Sequence, residues 1–256
     1  MKADIQKFVK FIEESNNIVF FGGAGVSTES GIPDFRSKDG LYNQHDVQFD
    51  KYPPEYLLSR DCLFNNPNIF YEFYRQKMDT RNIEPNITHK VLVKLEDIGK
   101  LKSVITQNID GLHQKAGSKT VREIHGTTQR NYCHKCKKEY DADYLFSFRR
   151  ESGIPRCSCK NKGLIRPDVT LYGESLPKKE VESALNDIRT ADMLIIGGTS
   201  LQVQPAASFI YEFTGKHIVV INKEKLNIML SEEDDLIICD SLGNVFSEID
   251  KRIFSK

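Results

Sequence analysis

Short apolar runs punctuate the chain, with stretches of helical spacing between them. Residues 3–15 carry Ile5, Phe8, Val9 and Ile12 at helical intervals with Lys and Glu opposite, which predicts an amphipathic helix. Ile18–Phe21 follows as a continuous apolar run, and similar runs recur at Val104-Ile105, Met193–Ile196, Ile218–Ile221 and Leu236–Ile238. Runs that do not alternate read as strands covered on both faces, because helices flank both sides of a parallel sheet. Helical patterns at 87–98, 178–189 and 205–213 lie between several of them. Strand alternating with helix predicts an α/β fold built on a doubly wound parallel sheet.

Two stretches break the alternation. Residues 36–80, rich in Tyr, Phe, Asn and Pro, read as short helices and loop; residues 126–166 hold four of the six cysteines. Both fall between strands, which predicts one large part over about 1–35, 81–125 and 167–256 and a smaller part assembled from the two insertions. No internal repeat or low-complexity segment is evident, and Ser231–Asp235 reads as a solvated acidic turn.

Charge adds mainly exclusions. Lys plus Arg equals Asp plus Glu at 36 each, so no global field recruits nucleic acid or anionic membrane, and specific nucleic-acid binding is not expected. No apolar run approaches the ~20 residues of a membrane span. The first residues alternate charged and apolar positions without a signal-peptide core, so a cytoplasmic location is expected. Cysteines in such a chain argue for metal or buried thiols rather than a disulfide scaffold.

The candidate chemistry clusters where strands end. Gly22-Gly23-Ala24-Gly25-Val26-Ser27 follows the first strand; its glycines admit a pyrophosphate closely, and a following helix start would offer free N–H groups. The same loop reads equally as a tight turn. The acidic residue that dinucleotide folds place ~20 positions on, after a second strand, is missing, which argues against an ordinary dehydrogenase. Asn222, ending the run 218–221, is either a ribose contact or a turn residue. Gly197-Gly198-Thr199-Ser200 forms a second such loop, with Thr199 or Ser200 also readable as a helix N-cap.

Cys133-x-x-Cys136 and Cys157-x-Cys159 form two close pairs of the kind that hold a closed, tetrahedral structural Zn²⁺. His134, inside the first pair, is expected to be exposed rather than a ligand. The segment 126–166 carries ten Lys or Arg against four Asp or Glu; a zinc-tetrathiolate centre offsets about two of these charges. Thr106–His113 (TQNIDGLH) sets Asn108 and Asp110 at a strand's carboxyl end, as ligand groups or as an Asx turn. His125, where the sheet gives way to the cysteine module, is a natural general base near neutral pH or a structural histidine.

Together these segments resemble the sirtuins, NAD-dependent protein lysine deacylases, in their bacterial form. The resemblance rests on residues 23–37 (GAGVSTESGIPDFRS), 106–113, His125-Gly126, the paired cysteines, 166–177 (RPDVTLYGESLP), 198–207 (GTSLQVQPAA) and 219–222 (VVIN), in the family's order. It implies a Rossmann-like large part and a smaller part made of a zinc-binding module and a helical insertion. It implies NAD as consumed co-substrate, one structural Zn²⁺ and acylated lysine proteins or peptides as partners. Ala24, Gly25, Thr28, Phe35 and Arg36 match the cofactor loop, with Phe35 shielding the nicotinamide side. Gln107, Asn108, Ile109 and Asp110 match the nicotinamide and ribose contacts, Asp110 taking the carboxamide; Phe35, Ile109 and Asp110 make up the nicotinamide pocket. Thr199, Ser200 and Asn222 match the adenosine contacts, with Cys239 and Asp240 closing over the adenine. Thr170, Tyr172, Gly173 and Glu174 match the substrate-binding strand. The implied reaction has the acyl oxygen displacing nicotinamide, with His125 and Asn108 catalytic and His125 the base on a ribose hydroxyl.

Two departures bear on specificity. Relatives that prefer acidic acyl groups carry a Tyr-x-x-Arg pair in the helical insertion; here Tyr71 is followed by Tyr74 in place of the Arg, with Arg75 one position later. An acyl carboxylate would lack its cation, so neutral acyl groups, acetyl first, are expected. Thr170 and Tyr172 stand where Val and Phe are commoner. Protein ADP-ribosyl transfer and a non-catalytic NAD- or nucleic-acid-binding zinc module are the competing readings.

Overall fold

The computed structural model describes residues 2–255 apart from 36, 38–39, 149–152, 225, 227, 229 and 232. Six parallel strands make the larger sheet: β1 (Ile18–Gly22), β2 (Leu101–Thr106), β3 (Val121–Glu123), β7 (Met193–Gly197), β8 (His217–Ile221) and β9 (Leu236–Ile238), in the order β3-β2-β1-β7-β8-β9. The smaller sheet is antiparallel, β5-β4-β6, from β4 (Gly126–Cys133), β5 (Glu139–Asp141) and β6 (Ile165–Val169).

The strand period of two explains why β1 is apolar throughout. Ile18 and Phe20 face one side, where α1 (Lys2–Glu14), α5 (Ile87–Asp97) and α9 (Leu242–Phe254) bring Phe8, Leu95 and Phe246. Val19 and Phe21 face the other, against α8 (Lys178–Thr190) and a 3₁₀ helix over Ala206–Glu212. Burying each such Phe contributes about 2–3 kcal/mol. The segment expected as a helix over 205–213 winds at three residues per turn, which sets Ala206, Phe209 and Ile210 in the core of that face. β3 and α9 are additions to the expected elements.

The smaller part has a core of its own. α2 (Pro54–Leu57), α3 (Arg60–Asn65) and α4 (Pro67–Lys77) supply Leu63, Phe70, Tyr71 and Tyr74; the small sheet and α7 (Ala142–Phe146) supply Leu145, Phe146 and Ile165. Local signals fix these helices: the Ser59 hydroxyl accepts from Cys62 N–H at the start of α3, and Pro67 opens α4. Tyr74 stacks between Phe70 and Phe146, at 5.7 and 5.4 Å. β6 starts before position 167, so Ile165 to Val169 belong to the small sheet. α6 (Leu112–Ala116) follows β2 beneath the site. Among the described residues no helix is long and apolar enough to cross a membrane.

Candidate active site

The floor of the site lies where the loops after β1 and β7 meet, beside the central strand pair. Gly23 N–H donates to the Gly197 carbonyl at 3.1 Å and Gly25 N–H to the Gly198 carbonyl at 2.8 Å. A Cβ on Gly25 would lie 2.7 Å from Gly198 Cα, and one on Gly198, whose φ is +59°, 2.6 Å from Val26 N. The two loops therefore clasp backbone to backbone, which only glycine permits. The chain leaves the first loop in two 3₁₀ turns, Ala24–Val26 and Thr28–Ser30, rather than the α-helix expected there. The close backbone approach of the glycine loop is present, but no α-helix start stands behind it.

Above this floor opens a cavity of about 1530 Å³. Its wall brings together Ala24, Gly25, Thr28, Phe35, Gln107, Asn108, Ile109 and His125 with Thr170, Tyr172, Gly173, Glu174, Thr199, Ser200, Asn222 and Asp240. Asn222 and Asp240 follow β8 and β9 at the same sheet edge. Asp110 and Cys239 are not on this wall; Cys239 is exposed, not the buried thiol that the run 236–238 suggests. Arg36 lies outside the described residues.

Asp110 is buried beneath the wall. Its carboxylate accepts from Ser27 Oγ at 2.7 Å and from Leu112 N–H at 2.8 Å, and burial pushes its pKa up against both donors. Asn108 Nδ2 donates to the Gly23 carbonyl at 3.0 Å and to Ser27 Oγ at 3.1 Å. Gln107 Nε2 donates to Thr199 Oγ1 at 3.2 Å, tying the β2 loop to the β7 loop. Ser27 is thus the junction of the glycine loop and the Gln107–Asp110 segment, and sequence reasoning missed it; a serine ending a glycine loop carries no local mark of that role. His125 Nδ1 lies 2.9 Å from the Gln107 carbonyl, and the His125 carbonyl accepts from Thr170 N–H at 2.8 Å.

The opposite lip is the segment 170–174. Tyr172 N–H donates to the Leu58 carbonyl and Arg60 N–H to the Tyr172 carbonyl, both at 3.0 Å. The Tyr42 hydroxyl donates to that of Tyr172 at 3.0 Å, and Tyr42 packs on Phe35 with ring centroids 5.4 Å apart. Glu174 holds Arg166 with both oxygens, at 2.5 and 2.8 Å, and accepts from Leu171 N–H. Burial pushes the Glu174 carboxyl up, but Arg166 holds it below its ordinary value. Tyr74 is fully buried in the small core and off the cavity wall; Tyr71 donates to the Ile165 carbonyl and Arg75 to that of Gly153. Position 74 therefore has no contact with the cavity through which to read an acyl group.

Away from the cavity, the sulfurs of Cys133, Cys136, Cys157 and Cys159 lie within 4.8 Å of one another. Cys133 and Cys159 are 3.9 Å apart, Cys136 and Cys157 3.6 Å. Four thiolates on a tetrahedron at ~2.3 Å from Zn²⁺ stand ~3.8 Å apart, so the cluster fits a closed structural zinc site; a disulfide needs ~2.05 Å. The Tyr140 hydroxyl donates to Cys157 Sγ at 3.1 Å and helps bring that thiol down to about 6. His134 is half-buried rather than exposed, edge-on to Phe64 at 5.3 Å.

The model of the Sir2 family matches residues 23–205, a span that contains both glycine loops, His125 and all four cluster cysteines. The chain belongs to the Sir2 family. A NAD-dependent protein deacetylase of Clostridium acetobutylicum is 48% identical over 245 residues, covering 96% of this chain and 97% of that one. A solved Sir2 histidine-to-alanine variant with deacetylated p53 peptide and 3'-O-acetyl ADP ribose superposes with a TM-score of 0.85 at 31% identity, covering 98% of each chain. A Sir2 complex with p53 peptide and NAD⁺ superposes with a TM-score of 0.80 at 32% identity, covering 96% of this Sir2-family chain and 97% of its own.

Proposed function

We propose that this protein is an NAD-dependent lysine deacetylase, converting acetyl-lysine in proteins or peptides, NAD and one water into free lysine, nicotinamide and O-acetyl-ADP-ribose. The observation that carries the reading is the state of His125. The Gln107 carbonyl can only accept, so Nδ1 holds the proton and Nε2 keeps its lone pair. Burial lowers the His125 pKa, the Gln107 carbonyl opposing it, so the ring is a neutral base at pH 7 on the wall of the cavity.

The wall fits NAD by its donor set. Gly25, Ala24 and Thr28 would cradle the pyrophosphate; Thr199, Ser200, Asn222 and Asp240 would hold the adenosine half; Phe35 and Ile109 would flank the nicotinamide. When bound, NAD supplies the ribose carbon that accepts the acetyl oxygen and the hydroxyl from which His125 takes a proton. Asn108, held by Gly23 and Ser27, orients the ribose side, and Asp110 acts from below by fixing that loop through Ser27. Arg36 joins the cofactor loop by the family resemblance alone. The lip at Thr170–Glu174 is the acyl-lysine site. Zn²⁺ on the four thiolates is structural. The large and small parts act as one catalytic unit, cytoplasmic and without nucleic-acid partners, consistent with equal numbers of acidic and basic residues.

The test is mass spectrometry of acetyl-, succinyl- and myristoyl-lysine peptides incubated with and without NAD. Acetyl loss with O-acetyl-ADP-ribose is expected, and His125→Ala should keep NAD binding while losing about 100-fold or more in turnover. No deacylation of any peptide by folded, zinc-loaded protein would overturn the reading in favour of ADP-ribosyl transfer.

A further inference from the structure

β4 does not pair evenly with β6. Gly126 faces Val169 and Thr127 faces Asp168, but pairing resumes only at Asn131 with Pro167, so residues 128–130 bulge from the ladder. Bulges re-aim side chains and recur beside active sites. Here Thr128 N–H and Oγ–H both donate to the Ile109 carbonyl, at 2.8 and 3.0 Å, and Gln129 Nε2 donates to the Asp110 carbonyl at 3.1 Å. Arg130 Nε donates to Asp168 Oδ2 at 3.1 Å, and its Nη1 stands 3.3 Å from Glu123 Oε2. Glu123 ends β3 of the large sheet; Asp168 lies on β6 of the small one. His125 and Gly126 join the two, and Gly126 is held at φ +78°, where a Cβ would strike the Asp168 carbonyl oxygen at 2.0 Å.

We propose that Arg130 is a positioning residue for His125: by bridging Glu123 to Asp168 it fixes the turn at Gly126 on which the base is carried. The side chain of Glu123 is only 9% exposed, and the other side chains facing it, Thr127 and Gln114, are neutral. Without Arg130 this carboxylate must take up a proton or move toward water, and either shifts the end of β3 two residues before His125. Arg130 itself is 59% exposed, so its ion pairs add little to folding stability. Proton transfer, by contrast, responds to displacements of ~1 Å. The loss on the step that uses His125 therefore goes beyond whatever the unpaired Glu123 costs the fold.

The proposal rests on the deacetylase reading, under which nicotinamide release precedes the step that needs His125. The experiment compares wild type and Arg130→Gln, both zinc-loaded, in deacetylation of an acetyl-lysine peptide and in exchange of labelled nicotinamide into NAD. Deacetylation kcat is expected to fall by about tenfold or more while exchange and zinc content stay near wild type and the protein remains folded at the assay temperature. Equal loss of both rates, or loss of neither, overturns the proposal. Should R130Q lose zinc or unfold, R130K carries the test: a lysine ammonium keeps the charge but lacks the fixed fork of Nε and Nη1 donors that sets the two carboxylates, so the same separation of rates is expected, and its absence is equally decisive. A wild type that neither deacetylates nor exchanges refutes the deacetylase reading itself and the proposal with it; an active wild type with an indistinguishable R130Q refutes the proposal alone.

Discussion

Acidification below pH 6.5 should destabilise this protein, and two histidines behind the site set the scale. His89 on α5 and His113 on α6 are 0% and 1% exposed, with ring centroids 4.7 Å apart. Asn86 Oδ1 lies 3.1 Å from His89 Nδ1, while His89 Nε2 and both His113 nitrogens lack hydrogen-bond partners among the described residues. Burial lowers the His89 pKa to about 4 and that of His113 well below 6.5, the neighbouring His89 adding to the latter. The unfolded chain binds these protons near pH ~6.5, so it carries more of them in acid, and the stabilisation present above pH ~6.5 is lost as pH falls toward the native values. For His89 alone the loss is about 2 kcal/mol at pH 5 and about 3 kcal/mol below pH 4. In a chain this size, 2 kcal/mol lowers Tm by about 4–8 °C. Asp110 and Glu123, pushed up by burial, act in the opposite sense: their stabilisation is present in acid and lost as pH rises through their raised values. Substituting a histidine leaves those carboxyls in place, so the comparison isolates the rings. Urea melts at pH 7.5, 6 and 5 on wild type and His113→Phe should show the variant losing markedly less stability on acidification. A wild-type stability flat across that range, or an H113F curve as steep as wild type, would refute the reasoning.

Gly198→Ala forces a Cβ to 2.6 Å from Val26 N in a left-handed conformation costing ~1–3 kcal/mol, so calorimetry should show NAD affinity falling by about tenfold or more with a lower Tm. Tyr74→Arg, which restores the cation of relatives preferring acidic acyl groups, should not create succinyl-lysine activity. It places an unpaired charge between Phe70 and Phe146, at a cost of several kcal/mol, so thermal melts should show a weakened small part and mass spectrometry no gain on the succinyl peptide.

The large sheet was legible because burial on both faces leaves unbroken apolar runs, as in Ile18–Phe21 and Met193–Ile196. β3 was not: three residues at the sheet edge, two of them Arg122 and Glu123, give no pattern. α9 carried a plain signal, Leu242, Val245, Phe246 and Ile249 behind a Ser241 cap, yet it is absent from the expected elements. In the site, the residues at strand ends could be named from sequence, whereas what each one touches could not. Asp110 facing Ser27 rather than the cavity, and the bulge that ties Thr128 and Gln129 to the β2 loop, arise from segments distant along the chain. That Tyr74 is buried off the cavity wall is hidden in the sequence for the same reason, since matching a position does not fix the direction of its side chain.

The shared core of the smaller part has a consequence for synthesis. Leu63, Phe70, Tyr71 and Tyr74 leave the ribosome long before their partners Phe146, Ile165 and Leu171. At ~5–20 residues per second, about ninety intervening residues take roughly 5–20 s. For that interval the aromatic face of α4 has only earlier residues such as Phe49 and Leu57 to cover part of it, and the zinc thiolates complete their set only as Cys159 emerges. Early in its life, then, this chain is a half-finished large sheet trailing an adhesive helix, and its exposure to aggregation is set by translation speed as much as by the stability of the finished fold.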